Sequence, residues 1–510
     1  MTDEFRNDIA TYCAERKETI VASFRQLCAI PGVSADPGRR ADIRKTAAWI
    51  TAQALDAGFH SARAVETDGN PVVVAEYRAG DDRPTVLVYA HYDVQPANDP
   101  ERWTSPPFEP TVRDGAVWAR GATDDKGHVI MHLTAVRALL DLTGSVPVNV
   151  RLVVEGEEEI GSPHFDAFLR DHPEVLDADA WIVSDTPGFI GDHPTVCTGV
   201  RGLVLADITL TASDAEPHSG LFGGAVRNPA EALAALLAGL KDPATGRVLL
   251  DGFYDRVTEP TQQERAALAA LPFDEDAWLA GVGARAVHGE SGWTTLERVW
   301  WRPTLEVNAI ASGDAVAEVK TVVPVAARAR VSCRLVPDQS AVEIARSLRS
   351  ALEAVVPPGL TADVRVRTAG DPVAIGSDHP LVGAASRAVA TVLGTAPVPV
   401  RMGGSIPPLA SLVADGMPGL LVGVGKDSDN FHAVDEHLSV DRLLHGTALM
   451  AQLWREFAVL PAAAYARTPA APGVPTPRTD AARDTTLPGA DAASGPRHPS
   501  APPSEVPDAG

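Results

Sequence analysis

Thr85-Val86-Leu87-Val88-Tyr89-Ala90-His91-Tyr92-Asp93 is the stretch from which the fold can be read. A short uncharged run opened by Pro84 predicts a strand buried on both faces. Downstream, apolar residues at 129, 133, 136 and 140 keep helical spacing across Lys126–Leu142, and Val148–Val154 and Ala180–Val183 are short apolar runs again. Buried strands alternating with helices predict an α/β sheet. Upstream, residues from Thr2 to Asp56 read as helical, with a break at Pro31-Gly32 and a turn at Asp36-Pro37-Gly38.

Near residue 200 the texture changes. Residues 203–211 alternate like a half-exposed strand, and a helix at 228–240, a strand at 327–335, a helix at 338–355 and a strand at 361–367 follow. A long excursion separates 241 from 303. After Pro372 the first texture returns, with a helix over 380–393, a buried strand over Gly419–Gly425 and a last helix over 440–457. The expectation is one domain made of 1–199 and 369–465, with an α+β domain, 200–368, inserted into it. Residues 466–510 are rich in Pro, Ala, Ser and Thr, bury too little apolar surface to offset ordering entropy, and are expected to be disordered.

Two domains also suit a chain of 510 residues, since single cores stop growing near ~250–300. The net charge of −23 disfavours nucleic acid and anionic membrane surfaces as partners. No apolar run approaches the ~20 residues of a membrane span, and the segment from Met1 to Arg6 lacks a signal peptide's basic and apolar regions. A cytoplasmic protein is expected. Cys13, Cys28, Cys197 and Cys333 are too scattered for a disulfide framework and read as reduced, structural thiols.

The chemistry lies where the predicted strands end. His91 and Asp93 follow the strand closing at Ala90, Asp124 sits in the loop opening the 126–142 helix, and Glu158-Glu159 follow the Val148–Val154 strand. Asp185 follows Ala180–Val183, and His432 lies beyond Gly419–Gly425. Sites in open α/β sheets form outside the carboxyl ends of strands. Five loops meeting there would present an all-nitrogen and oxygen donor set, suited to two divalent cations. Two such ions need a bridging carboxylate and space for a water between them. Asp93, two residues from His91 and on the same face, can fix its ring. Of Glu158 and Glu159, one can bind metal while its neighbour faces water.

No member of this set is specific alone. His128 and His132 lie one turn apart but lack the His-Glu-x-x-His pattern and read as ordinary helix-face residues. Gly220–Gly224 lacks the Lys-Ser/Thr of a phosphate loop.

Several segments carry a resemblance. They are His91-Tyr92-Asp93-Val94-Gln95-Pro96, the run from Ala119 to Gly127 containing Asp124-Asp125-Lys126, and Glu155-Gly156-Glu157-Glu158-Glu159-Ile160-Gly161-Ser162. Val183-Ser184-Asp185, His218-Ser219-Gly220, Arg334-Leu335-Val336-Pro337 and Gly403-Gly404-Ser405-Ile406-Pro407 add to them. With these, residues 10–460 resemble the di-zinc amidohydrolases that include carboxypeptidase G and aminoacylase, nearest the non-specific (carnosine-type) dipeptidase branch. The resemblance implies a zinc-peptidase-like catalytic domain, with a mixed central sheet flanked by helices, and an inserted lid domain that makes a homodimer. It implies that His91 and Asp185 hold one metal, Glu159 and His432 the other, and that Asp124 bridges both through an often-cis peptide to Asp125. Glu158 matches the general base. His218 matches a residue reaching the partner's active site, and Thr321, Arg334 and Ser405 match positions that bind substrate. The implied cofactor is a pair of divalent ions, zinc first, manganese or cobalt as alternatives. The implied activity is dipeptide hydrolysis, with N-acyl amino acid deacylation as the alternative and a non-catalytic dimeric binding module as a third reading. The residues around His432, Asn430 to Glu436, depart from the family's usual small residues, which bears on substrate preference.

Overall fold

The computed structural model describes residues 2–313, 320–406, 408–413 and 415–467. Pro407 and the expected tail beyond residue 467 lie outside the described residues. Four helices, α1 (Thr2–Glu15), α2 (Lys17–Cys28), α3 (Arg40–Ala57) and α4 (Gly127–Thr143), fall in the first part of the chain. They accompany strands β1 (Ser61–Val65), β2 (Val72–Tyr77), β3 (Thr85–His91), β4 (Asn149–Glu155), β5 (Ala180–Val183) and β6 (His193–Val200). After these come β7 (Gly202–Thr211), α5 (Pro229–Ala238), β8 (Thr304–Ser312), β9 (Ala326–Leu335), α6 (Ala341–Ala354) and β10 (Thr361–Gly370). The chain closes with α7 (Pro380–Leu393), β11 (Gly419–Leu421) and α8 (Val440–Phe457).

The larger sheet runs β1-β2-β4-β3-β5-β11-β6 and is mixed. Pairing at β1–β2 and β2–β4 is antiparallel, whereas β4, β3, β5 and β11 are mutually parallel. Those four strands are apolar on both faces because helices cover one side, and the 165–176 segment with Ile406, Leu409, Leu412 and Met417 covers the other. On the helical side α4 and α8 pack together over the sheet, with Trp454 fully buried. Ser439 caps α8 by accepting from Arg442 N–H, and Gly394, in the left-handed region, ends α7.

The smaller sheet, β8-β9-β7-β10, is antiparallel throughout. Along β7 buried and half-buried residues alternate strictly, as a sheet covered on one face requires. Its covered face packs on α5 and α6 around Leu233, Ile344 and Leu348, a core separate from that of the larger sheet. β10 runs to Gly370, two residues past the expected boundary. The 241–303 excursion carries three short helices, and its Leu268, Leu296 and Trp300 pack against Ile190 and Val400 of the first unit. All four cysteines are free and buried; burial pushes each thiol up to about 12, which leaves them inert. Among the described residues no helix is long and apolar enough to cross a membrane.

Candidate metal centre

Because β4, β3, β5 and β11 are parallel, their carboxyl ends share one edge of the sheet. β3 ends on His91, which stands opposite Glu155 at the end of β4, and Tyr89 stands opposite Val183 at the end of β5. Glu158-Glu159, Asp185 and the loop carrying His432 leave from these ends, and Asp124 enters from the turn before α4.

Two triads result. His91, Glu158 and Asp185 each offer a donor atom within 4.8 Å of the others, and Asp124, Glu159 and His432 do the same. Asp124 joins them: its Oδ1 lies 2.9 Å from His91 Nε2 and its Oδ2 2.9 Å from His432 Nε2. His432 Nε2 is 3.1 Å from Glu159 Oε2, and His91 Nε2 is 3.9 Å from Asp185 Oδ2. Two ligands of one tetrahedral ion, each at ~2.0–2.1 Å, stand about 3.3 Å apart. The observed separations bracket that value.

Charge argues the same way. Four carboxylates, Asp124, Glu158, Glu159 and Asp185, crowd two imidazoles. Burial, reinforced by Asp124, pushes Asp185 well above the usual carboxylate range, and burial with the charge of Asp185 does so for Glu158 against the pull of His91. Burial opposes ionisation of Asp124 too, but hydrogen bonds with His432 and His91 outweigh it and hold that group below the usual range. The bonds to Asp124 and Glu159 raise His432 to about 11. A surplus of buried negative charge with only nitrogen and oxygen donors fits a pair of divalent cations.

The ligands are braced from behind. His91 Nδ1 faces Asp93 O at 3.1 Å and Asp93 Oδ1 at 3.4 Å, as the i, i+2 spacing predicts. Asp93 also accepts from the N–H groups of Glu158 and Glu159, so one buried carboxylate sets the ring and the Glu-Glu turn together. The peptide from Asp124 to Asp125 is cis. Glu436 accepts from Gly121, Thr123 and Asp124 N–H and from Arg120 Nη1 at 2.6 Å, which fixes the Asp124 turn. Asn430, His432 and Asp435 have φ near +60°, a left-handed coil that turns His432 toward Asp124 while leaving its side chain 54% exposed. A side chain at Gly425 would meet Phe431 and Thr123, so this loop closes only around glycine.

Sequence reasoning missed two of these braces. Gln95 donates to Glu159 from both its backbone and its side chain, and Glu436 holds the Asp124 turn. Glu436 stood in the segment already marked as departing from the family, and Gln95 in the His91–Pro96 segment that carries the resemblance, but neither was given a role there. His128 and His132, read as helix-face residues, are both buried on α4.

The remaining candidates lie on or near the smaller sheet. Arg334, in β9, donates to Ser405 Oγ at 2.7 Å and so ties the two units together. Burial lowers its pKa, and Arg201, pushed down to about 9 by burial and then by Arg334, adds a second guanidinium to that corner. His218 and Thr321 stand together: Ser219 N–H donates to Thr321 O, and His218 bridges Val322. Both are exposed, and neither contacts the two triads among the described bonds.

Residues 87–456 match the peptidase family M20/M25/M40. The chain is 30% identical over 463 residues to the Cys-Gly metallodipeptidase dug1 of Schizosaccharomyces pombe, covering 87% of this chain and 96% of that protein. It is 29% identical over 468 residues to the Beta-Ala-His dipeptidase of Homo sapiens, covering 90% and 91%. Human carnosine dipeptidase 1 superimposes with a TM-score of 0.76 at 27% identity, over 89% of this chain and 99% of that one. An M20 family metallo-carboxypeptidase from Sulfolobus solfataricus gives 0.78 at 28% identity, over 86% and 99%. A match over most of the chain, on top of a donor set built for two cations, places this protein in peptidase family M20/M25/M40 as a metallopeptidase.

Proposed function

We propose that the protein is a di-metal dipeptidase, with His91 and Asp185 on one ion, Glu159 and His432 on the other, and Asp124 across both. The observation that carries this is the Asp124 carboxylate, whose two oxygens each face one imidazole at 2.9 Å. The likeness to enzymes named as Cys-Gly and Beta-Ala-His dipeptidases supports the substrate class. Two cations bound here supply an acidified water and polarise the scissile carbonyl. Glu158, buried beside His91 and Asp185, takes the proton from the attacking water and returns it to the leaving amine. Arg334, with Ser405 and Thr321, receives the substrate carboxylate, where a guanidinium fork gives bidentate geometry.

His218 belongs to the same scheme as a donor to the developing oxyanion, delivered to the site of a second copy. Two features support a homodimer built through residues 200–368: His218 is exposed, and Leu221 (78%) and Phe222 (47%) beside it expose apolar surface that a partner would cover. Zinc as the native metal, a cytoplasmic location and the division into 1–199 with 369–465 and 200–368 complete the reading.

The decisive experiment measures amine release from zinc- or manganese-loaded protein across dipeptides and N-acyl amino acids, with Glu158→Gln as the blank. Dipeptide cleavage absent from the blank is expected. Cleavage confined to acyl substrates makes the protein a deacylase instead, and silence on both panels with metal bound removes the hydrolase assignment for these substrates.

A further inference from the structure

We infer that His128 is a positioning residue for the metal centre, a strut between the loops that carry Asp124 and His432; the inference rests on the two-cation reading above. Its ring is fully buried on α4 and reaches in two directions. Nε2 lies 3.0 Å from Val424 N and accepts that N–H, which places the ring proton on Nδ1. Nδ1 stands 2.6 Å from Asp125 Oδ1, an ion-pair contact outside hydrogen-bond alignment, and neither atom has a hydrogen-bond partner among the described residues. The other oxygen of Asp125 accepts from His91 N–H at 3.1 Å.

A continuous path follows. Val424 stands just beyond β11 on the way to His432, the imidazole spans to Asp125, and Asp125 is bonded to Asp124 and hydrogen-bonded to the backbone of His91. Three proposed ligands are therefore referred to one side chain on a rigid helix. Packing alone gives no reason for histidine here. A buried helix face is filled better by an apolar residue, and burying an imidazole and a carboxylate together costs free energy unless each satisfies the other. The pair is placed where its fixed geometry is transmitted to the ligands, as outer-shell partners do in metal sites.

Two near-isosteres separate this from core packing. In His128→Asn the amide occupies the Nδ1 position and keeps the Asp125 contact, while in His128→Gln it reaches only the Nε2 position and keeps the Val424 contact. Cobalt(II) is titrated into purified full-length protein, with the visible absorption of the bound ion read alongside thermal unfolding. Expected are a loss of about 10-fold in cobalt affinity and an altered spectrum for both variants, since each frees one end of the strut. Wild-type affinity in either variant, or losses that merely track thermal stability, overturn the role of His128 alone. Wild-type protein that takes up no cobalt overturns the metal centre and this role with it. Should His128→Gln fail to fold, Asp125→Asn, which cannot accept from both His91 and His128, is expected to show the same loss, and its absence would refute the strut.

Discussion

The edge of the large sheet and the face of the small one are built on opposite plans. At the large-sheet edge four of the five proposed ligands are held at least twice: His91 by Asp93 and Asp124, Glu159 by Gln95 and His432, His432 by Asp124 and Glu159, and Asp124 by two imidazoles and, through its N–H, Glu436. On the small sheet Arg334 makes one side-chain bond among those described, to Ser405, and His218 and Thr321 stand exposed. Holding cations demands fixed donors, because a shift of a fraction of an ångström is a large change at metal-ligand distances. Receiving a substrate demands donors that become fully engaged only when it, a closing motion or a second copy arrives. In the proposed scheme the small-sheet residues would be finished by binding, whereas the large-sheet residues are finished by folding.

That contrast can be broken at its strongest point first. Glu158→Gln keeps size and removes the base, so turnover should fall by at least ~10³-fold while metal content, measured by atomic absorption, stays at the wild-type level. Loss of metal in parallel would make Glu158 a ligand beside His91 and Asp185. The next effect belongs to the exposed side. His218→Ala should lower kcat by ~10²-fold, and mixing it with Glu158→Gln should return activity in confirmed heterodimers if each site borrows His218 from its neighbour. Failure of mixed dimers to regain activity would confine the site to one chain.

Arg334→Lys sharpens the comparison on a smaller scale. Lysine keeps the charge but not the fork, so KM should rise about 10-fold with kcat little changed. A fall in kcat at constant KM would place Arg334 at the reacting bond instead of the carboxylate.

How far the sequence reached follows the same division. The buried strand before His91 and helix α8, whose observed bounds match the expected 440–457, were legible because period and apolar content alone determine them. The ligands were legible because acidic and His residues recur where those strands stop. Glu436 and Gln95 were not, since their roles depend on partners that folding alone brings near. β11 was expected to reach Gly425 but ends at Leu421: at Gly423 the chain passes so close to Thr186 O that a side chain could not fit, and it leaves the ladder. The 241–303 excursion did carry an unused signal. Thr261–Glu264 and Thr294–Glu297 are Thr-x-x-Glu boxes, and both cap helices.

A change at Glu155 tests what the rigid edge costs. Glu155 ends β4, fully buried, with Oε1 accepting from Tyr89 Oη at 2.6 Å and from Ser162 Oγ at 2.9 Å. Burial pushes its carboxyl up to about 8; the two hydroxyls pull the other way and Asp93 adds to the rise. A group that holds its proton more tightly when folded stabilises the fold below its unfolded pKa, and that contribution is lost as pH rises through the folded value. Between about pH 5 and 8 the wild-type protein should therefore lose stability relative to Glu155→Gln, by roughly 3 kcal/mol, as read from urea unfolding at matched ionic strength. The glutamine keeps an oxygen for the two hydroxyls, so the difference isolates the charge. Parallel stability curves would mean that Glu155 is ionised in the fold throughout this range, and that the hydroxyl pair outweighs burial at the end of β4.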